Sequence, residues 1–147
     1  MNENLQYAGF WRRFAAYLID GIVIAFALLQ FRSFVYVQLV SLSTDMDTET
    51  LNAVVAAALG TMSLLFTWVY YSGMESSPLQ ATIGKLAVGI YVTDLQGQRI
   101  SFGRATGRHF GKVLSGLILV IGYLMAGFTA RKQALHDMLA TCLVLSK

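Results

Sequence analysis

From Leu51 to Gly73 the chain runs twenty-three residues without a charge, and this run constrains the fold more than any other feature of its 147 residues. A helix needs about 20 apolar residues, at roughly 1.5 Å rise each, to cross the hydrocarbon core of a bilayer. Two further blocks accompany it. Phe14 to Phe31 is eighteen residues with a single charge, Asp20, and Val113 to Ala130 is eighteen with none. The chain is 56% hydrophobic and 13% charged, where soluble domains carry about 25% charged residues. Apolar residues gathered in blocks imply an integral membrane protein. The expected fold class is an all-α membrane protein of about three transmembrane helices, over 14–31 (extendable to 42), 51–73 and 113–130. A cytoplasmic segment at 74–112 and a tail at 131–147 complete a single domain spanning 1–147.

Orientation follows from the basic residues. The opening "MNENLQYAGF" lacks a basic n-region and Asp20 interrupts any signal-type apolar core, so the first helix is expected to be retained. Arg12 and Arg13 precede that helix. Arg32 to Thr50 holds one basic residue against Asp45, Asp47 and Glu49, whereas Met74 to Lys112 holds Lys85, Arg99, Arg104, Arg108 and Lys112. Lys and Arg collect on the cytoplasmic side. The reading is a multi-pass cell-membrane protein with its N-terminus cytoplasmic and the acidic loop outside. Phe10 and Trp11 begin the first span, and Trp68, Tyr70 and Tyr71 close the second, as interfacial aromatics do. The third block breaks the pattern, because a crossing places Arg131, Lys132 and Lys147 outside. A re-entrant helix, bent at Gly116, Gly122 or Gly127, keeps them inside, but each limb would be only about 13 Å long. A third span is preferred, with the re-entrant helix as its rival.

The cytoplasmic segment has its own signals. "KLAVGIYVTDLQGQRISF" alternates Leu86, Val88, Ile90 and Val92 before the turn "DLQGQ", which predicts a small β-hairpin. A helix through Lys85 to Gly89 is the alternative. The β-prone "TCLVLSK" can pair with Ile90 to Thr93 only if both lie on one membrane face, which favours the re-entrant option. In "SFGRATGRHFGKVLSG", Gly103, Gly107 and Gly111 recur every four residues, each followed by Arg104, Arg108 or Lys112. That is an amphipathic helix with a small-residue stripe open to close helix approach. The basic stripe beside it either snorkels at the interface or faces lipid phosphates, another anion or a carboxylate.

The chemistry-bearing motifs are few. Phosphate-loop, zinc-protease and dinucleotide-turn patterns are missing from the sequence. Cys142 is its single cysteine, which excludes an internal disulfide and offers no metal-ligand spacing. The expectation is a non-enzyme without cofactor. A pI near 9.2 points to anionic lipid headgroups rather than nucleic acid, because the basic residues flank apolar blocks. Expected partners are the lipid bilayer and either further copies of the chain or another membrane protein.

Asp20 is the residue that resists a bland explanation. A carboxylate at the centre of a membrane helix costs roughly 2.5–3.5 kcal/mol on insertion scales and usually marks an ion or solute path. Arg13 lies seven residues earlier on the same helix face, about 10–11 Å away along the axis. That is too far for an ion pair within the helix, but it suits a polar lane completed by His136 and Asp137. Simple alternatives exist for two of these: Arg13 as a headgroup anchor and Asp137 as a helix cap. Two functional readings compete. In a transporter of an ion or small solute, Asp20 binds a proton or cation, Arg13 tunes it and Asp137 sits at the cytoplasmic mouth. In a non-transporting regulatory or assembly partner of another membrane protein, Asp20 pairs with a basic group of that protein or fixes helix packing.

Along most of its length the chain resembles the RDD family of small bacterial membrane proteins, named for one arginine and two aspartates. The resemblance is carried by "YAGFWRRFAAYLIDGIVI" with Arg13 and Asp20. It continues in "ESSPLQATIGKLAVGIYVTDLQGQRISFGRATGR" with Thr82, Gly84, Lys85, Gly89 and Asp94, and ends in "RKQALHDMLATCLV" with His136-Asp137. Ala140-Thr141-Cys142 stands where the family pattern has Ala-Gly-Thr. The resemblance implies a multi-spanning membrane protein, for which transport of unidentified ligands has been suggested.

Overall fold

The computed structural model describes residues 6–42, 46–117 and 121–147. They fall into two compact units, Gly21–Thr67 and Met1–Asp20 with Trp68–Lys147. Two long helices dominate the chain: α1 (Phe10–Leu42, 33 residues) and α2 (Thr48–Ser76, 29 residues). Both are long and apolar enough to cross a membrane. In the Gly21–Thr67 unit their surfaces are apolar and exposed at Ile22, Phe26, Leu29, Leu64 and Leu65, while Val55 and Leu59 are buried. A helix apolar all round belongs in lipid. The first helix takes in Arg32 to Leu42, so little of the expected acidic loop remains. Asp47 Oδ1 accepts the Thr50 N–H at 2.9 Å at the start of α2, as an N-cap does. Asp45 lies outside the described residues.

The second unit adds α3 (Ile83–Ala87), β1 (Ile90–Asp94), α4 (Phe102–Leu117), α5 (Ile121–Phe128), α6 (Leu135–Leu139) and β2 (Cys142–Ser146). The two strands pair antiparallel, Ile90 with Ser146, Val92 with Val144 and Asp94 with Cys142. Tyr7 bridges Leu145, and the Ala8 N–H donates to the Val144 carbonyl at 2.9 Å. Ile90, Val92, Cys142 and Val144 alternate into a core closed by Ala8, Ala16, Ile100 and Ala105. The protein is thus mostly helical with one small sheet.

Two expectations change. The turn at "DLQGQ" forms, with the Asp94 N–H on the Gln98 carbonyl at 2.9 Å and Gly97 at φ +80°. It does not close a hairpin. Leu86 is taken into α3, and α4 begins at Phe102, which leaves no length for a return strand, so β1 pairs with β2 instead. The block Val113–Ala130 is not one helix: Val113–Leu117 finish α4, and Ile121–Phe128 form α5. At 16 and 8 residues, both are shorter than the roughly 20 residues a span needs. The glycines at which a bend was expected, Gly116, Gly122 and Gly127, all lie within α4 or α5, and residues 118–120 between the two helices lie outside the described residues.

A repeat emerges that composition did not suggest. α3–β1 and α6–β2 share one design: a five-residue helix, two linking residues and a five-residue strand, 52 positions apart. The second linking residue has positive φ in both, Gly89 at +68° and Thr141 at +51°. Glycine adopts that conformation without penalty, whereas a threonine is strained there. The register places Val92 opposite Val144 at the pseudo-two-fold between the two copies.

Candidate functional site

Two polar clusters lie inside the unit formed by Met1–Asp20 and Trp68–Lys147. The first is built on Asp20, which is 1% exposed. Its Oδ1 accepts the Tyr70 hydroxyl at 2.7 Å and the Gly84 N–H at 2.8 Å, and its Oδ2 accepts the Thr82 hydroxyl at 2.6 Å. The Tyr70 oxygen in turn accepts the Ile83 N–H at 3.2 Å. The carboxylate therefore ties α1 to α2 and to the first turn of α3. Gly84 permits the approach, since a Cβ there would collide with the Ala16 carbonyl and lie 2.9 Å from Asp20 Cγ. All of these donors are neutral. Among the described residues no cation lies within ion-pair distance of Asp20.

The second cluster joins five helices around two carboxylates. Glu75 Oε1, at the end of α2, receives Lys85 Nζ at 2.5 Å and Lys112 Nζ at 3.3 Å, and Oε2 receives Arg108 Nη1 at 2.6 Å. Asp137 Oδ1 takes Arg108 Nε at 2.8 Å and Nη2 at 2.7 Å. Its Oδ2 takes Arg13 Nη1 and the Ala134 N–H, the latter at 3.1 Å, so Asp137 also caps α6. Arg13 also donates from Nε to the Ala8 carbonyl at 3.0 Å and from Nη2 to the Lys132 carbonyl at 2.5 Å. Arg108 bridges both acids, while Lys112 lies 4.0 Å from the Tyr71 ring centroid.

Electrostatics follow from this packing. Burial opposes ionisation of Asp137, but the Arg108 and Arg13 guanidiniums outweigh it and hold the carboxyl well below its usual range. Burial likewise opposes the Arg108 charge, yet Glu75 and Asp137 raise its pKa further. Burial pulls the Lys85 ammonium down to about 7 against the attraction of Glu75. His136 sits against Gly111, with its Nδ1 3.3 Å from the Ser115 hydroxyl. Burial, aided by Arg108 and Lys112, lowers it to about 3. The imidazole is therefore neutral near pH 7, and its 3.5 Å approach to Asp137 is not an ion pair.

The structure brings together Arg13, Asp137, Arg108 and Lys112, with His136 alongside. It does not bring Asp20 to Arg13: each has its own partners, and the expected lane along one face of α1 separates into two clusters. The basic stripe divides as well. Arg108 and Lys112 face Glu75, whereas Arg104 lies at the partly exposed surface, 3.8 Å from Asp94. Glu75, Lys85, Tyr70 and Thr82 were not singled out as site residues from the sequence. A signal for Glu75 was present: it is the one acid between Gly73 and Asp94, and a buried basic stripe requires a counter-charge. Among the described residues no three His, Cys, Asp or Glu side chains converge as a metal would require.

Comparison with known proteins places this architecture. Residues 7–141 match the model of the RDD family. The chain is 35% identical over 95% of its length to YxaI of Bacillus subtilis (strain 168), an uncharacterized protein of which 97% is covered. It is 25% identical over 95% of its length to YteJ of the same organism, an uncharacterized membrane protein of which 80% is covered. No solved structure matches, and the family match indicates no enzymatic class. The matched region takes in both clusters, from Arg13 and Asp20 to His136-Asp137, and with that coverage the chain belongs to the RDD family of membrane proteins.

Proposed function

We propose that this protein moves an ion or small solute across the cell membrane, with Asp20 as the group that exchanges a proton or cation. The observation that carries the reading is a buried carboxylate, within a helix able to span a bilayer, held by hydroxyl and amide donors and, among the described residues, by no cation. Neutral donors stabilise the anion yet leave a site that gains a proton with only a hydroxyl rotation. A protein of this size does not enclose a path by itself, so the working form is an oligomer or a complex with another membrane protein. The two long helices give two crossings with the N-terminus cytoplasmic, which keeps Arg13 and Asp137 on one face.

A second reading has its own support. The three donors saturate Asp20 and tie α1, α2 and α3 together, which suits a latch in a non-transporting assembly partner. Reconstitution in sealed vesicles separates the two. Transport predicts proton-coupled cation flux from the wild type and its loss in Asp20→Asn with folding intact. Flux that survives Asp20→Asn removes Asp20 from the mechanism, and absence of flux from the wild type leaves the latch.

A further inference from the structure

The repeat in this fold extends beyond the strands. Shifting α1 by 95 positions superposes its sequence on α4, so that Arg13 corresponds to Arg108, Ala16 to Gly111 and Asp20 to Ser115. The contacts obey the same correspondence. Ala16 and Asp20 lie against Gly84 of α3, while Gly111 and Ser115 lie against His136 of α6, and Gly84 and His136 are themselves 52 positions apart. Arg13 and Arg108 both reach Asp137. The order α1–α2–α3–β1 is therefore repeated as α4–α5–α6–β2, with the second helical pair shortened. The chemistry is not symmetric: Lys85 occupies the position of Asp137, and Glu75 supplies the acid that Lys85 and Arg108 face.

The short helices are also inverted relative to those of a soluble domain, where the apolar stripe faces inward. On α4, Ala105, Arg108, Gly111 and Ser115 are buried and Lys112 is half-buried, whereas Phe102, Phe110 and Val113 are exposed. The outward face also carries Gly103, Thr106 and Gly107, and its one charge is Arg104 in the first turn, 3.8 Å from Asp94. On α6, His136 and Asp137 point in while Met138 and Leu139 point out. On α3, Lys85 points in while Ile83 and Leu86 point out. Phe128 at the end of α5 is 90% exposed. The outer face of α4 continues onto α2, because Phe102 packs edge-on against Trp68 at 5.8 Å and Thr106 accepts the Trp68 indole N–H at 3.1 Å.

We propose that α4 and α5 are a shortened second copy of the α1–α2 hairpin that lies in one leaflet without crossing, with Phe102, Phe110 and Val113 against lipid acyl chains. Apart from Arg104, which sits in the first turn of α4 where a long basic side chain reaches the headgroups, charges lie inside and apolar side chains outside on three helices, a pattern that suits hydrocarbon and not water. The face is continuous with a helix that is itself apolar enough to span. Neither copy-equivalent helix is long enough to emerge on the far side.

Site-directed fluorescence in lipid vesicles tests this independently of transport. With Cys142→Ser as background, a small fluorophore is placed on Phe110→Cys, on Val113→Cys, on Phe14→Cys of α1 as the lipid reference, and on Gln96→Cys in the exposed turn as the aqueous reference. Brominated phosphatidylcholine is expected to quench the 110 and 113 sites as strongly as the site at 14, and iodide to quench only 96. Phe110→Trp in a Trp11→Phe, Trp68→Phe background, which removes both native tryptophans, repeats the measurement with an aromatic-for-aromatic change. Quenching of 110 and 113 by iodide rather than bromolipid overturns the proposal. So does protection from both quenchers with cross-linking between copies at 110, which assigns the face to a second copy of the chain.

Discussion

Replacing aspartate by asparagine at the two buried carboxylates is expected to cost very different amounts of stability, for a reason legible in their donors. Asp20 receives Tyr70 and Gly84 on one oxygen and the Thr82 hydroxyl on the other. An asparagine that keeps its carbonyl at the first position presents its amide to Thr82, whose hydroxyl can reverse and accept. Three bonds to a charged acceptor become bonds with a neutral amide, and the smaller cost of burying an uncharged group offsets most of that loss, for a net cost of about 1 kcal/mol. Asp137 offers no such orientation. One oxygen receives two Arg108 donors, and the other receives Arg13 and the Ala134 N–H, so an amide NH2 at either place meets donors that cannot reverse. It also leaves Arg108, 2% exposed, with Glu75 alone as counter-charge. Removing one partner of a buried ion pair costs about 3–5 kcal/mol. For a chain of this size that corresponds to a fall in melting temperature of about 10 °C or more. Thermal unfolding of both variants in one detergent, followed by near-ultraviolet circular dichroism, makes the comparison. Equal melting temperatures for Asp137→Asn and Asp20→Asn would refute the donor-counting argument.

Arg13→Gln and Asp137→Asn should be strongly non-additive in stability, whereas Arg13→Gln and Asp20→Asn should add, since they share no partner; a double-mutant cycle on each pair reads this directly. Gly84→Ala should destabilise by about 1–3 kcal/mol or fail to fold, because its Cβ meets the backbone of α1; a wild-type melting curve would show that α3 can move away. Acid should destabilise the fold: the unfolded chain protonates His136 near 6.5 and the folded one only near 3, so stability is lost as pH falls through that window. His136→Gln should flatten the melting temperature between pH 6.5 and 4. The Cys142 thiol is buried and pushed up to about 11, so maleimide should label it after denaturation and scarcely before.

What the sequence showed, and what it hid, divides by length scale. Charge-free runs and period-two alternation are local properties, and they announced α1, α2 and the strand propensity of Ile90–Asp94 and Cys142–Ser146. The partner of β1 was harder, because the turn at Asp94–Gln98 mimics a hairpin and only tertiary pairing decides between two β-prone runs. Arg13 and Asp137 were legible as a pair because each is charged beside an apolar block. Glu75 was harder, since at the end of α2 it reads as an ordinary surface acid until the basic stripe of α4 is known to be buried. The polarity of α4 was misleading for a related reason. A basic stripe beside glycines suggests a face turned to headgroups, and the periodicity of a helix states which residues share a face but not which way that face points.

The pairing of Arg13 with Asp137 also has a consequence for synthesis. The two are separated by 124 positions, and ribosomes add about 5–20 residues per second. Arg13 therefore waits roughly 6–25 s for its carboxylate, and for all of that time it is an unneutralised positive charge beside an emerging apolar helix. That is the state in which the insertion machinery reads it. A guanidinium that acts as a topogenic signal would have to do so before this pairing, because Asp137 neutralises it only once its own segment arrives. A substitution at Asp137 should thus spare the topology of α1 while leaving the finished protein unsealed, whereas a substitution at Arg13 perturbs both stages of biogenesis.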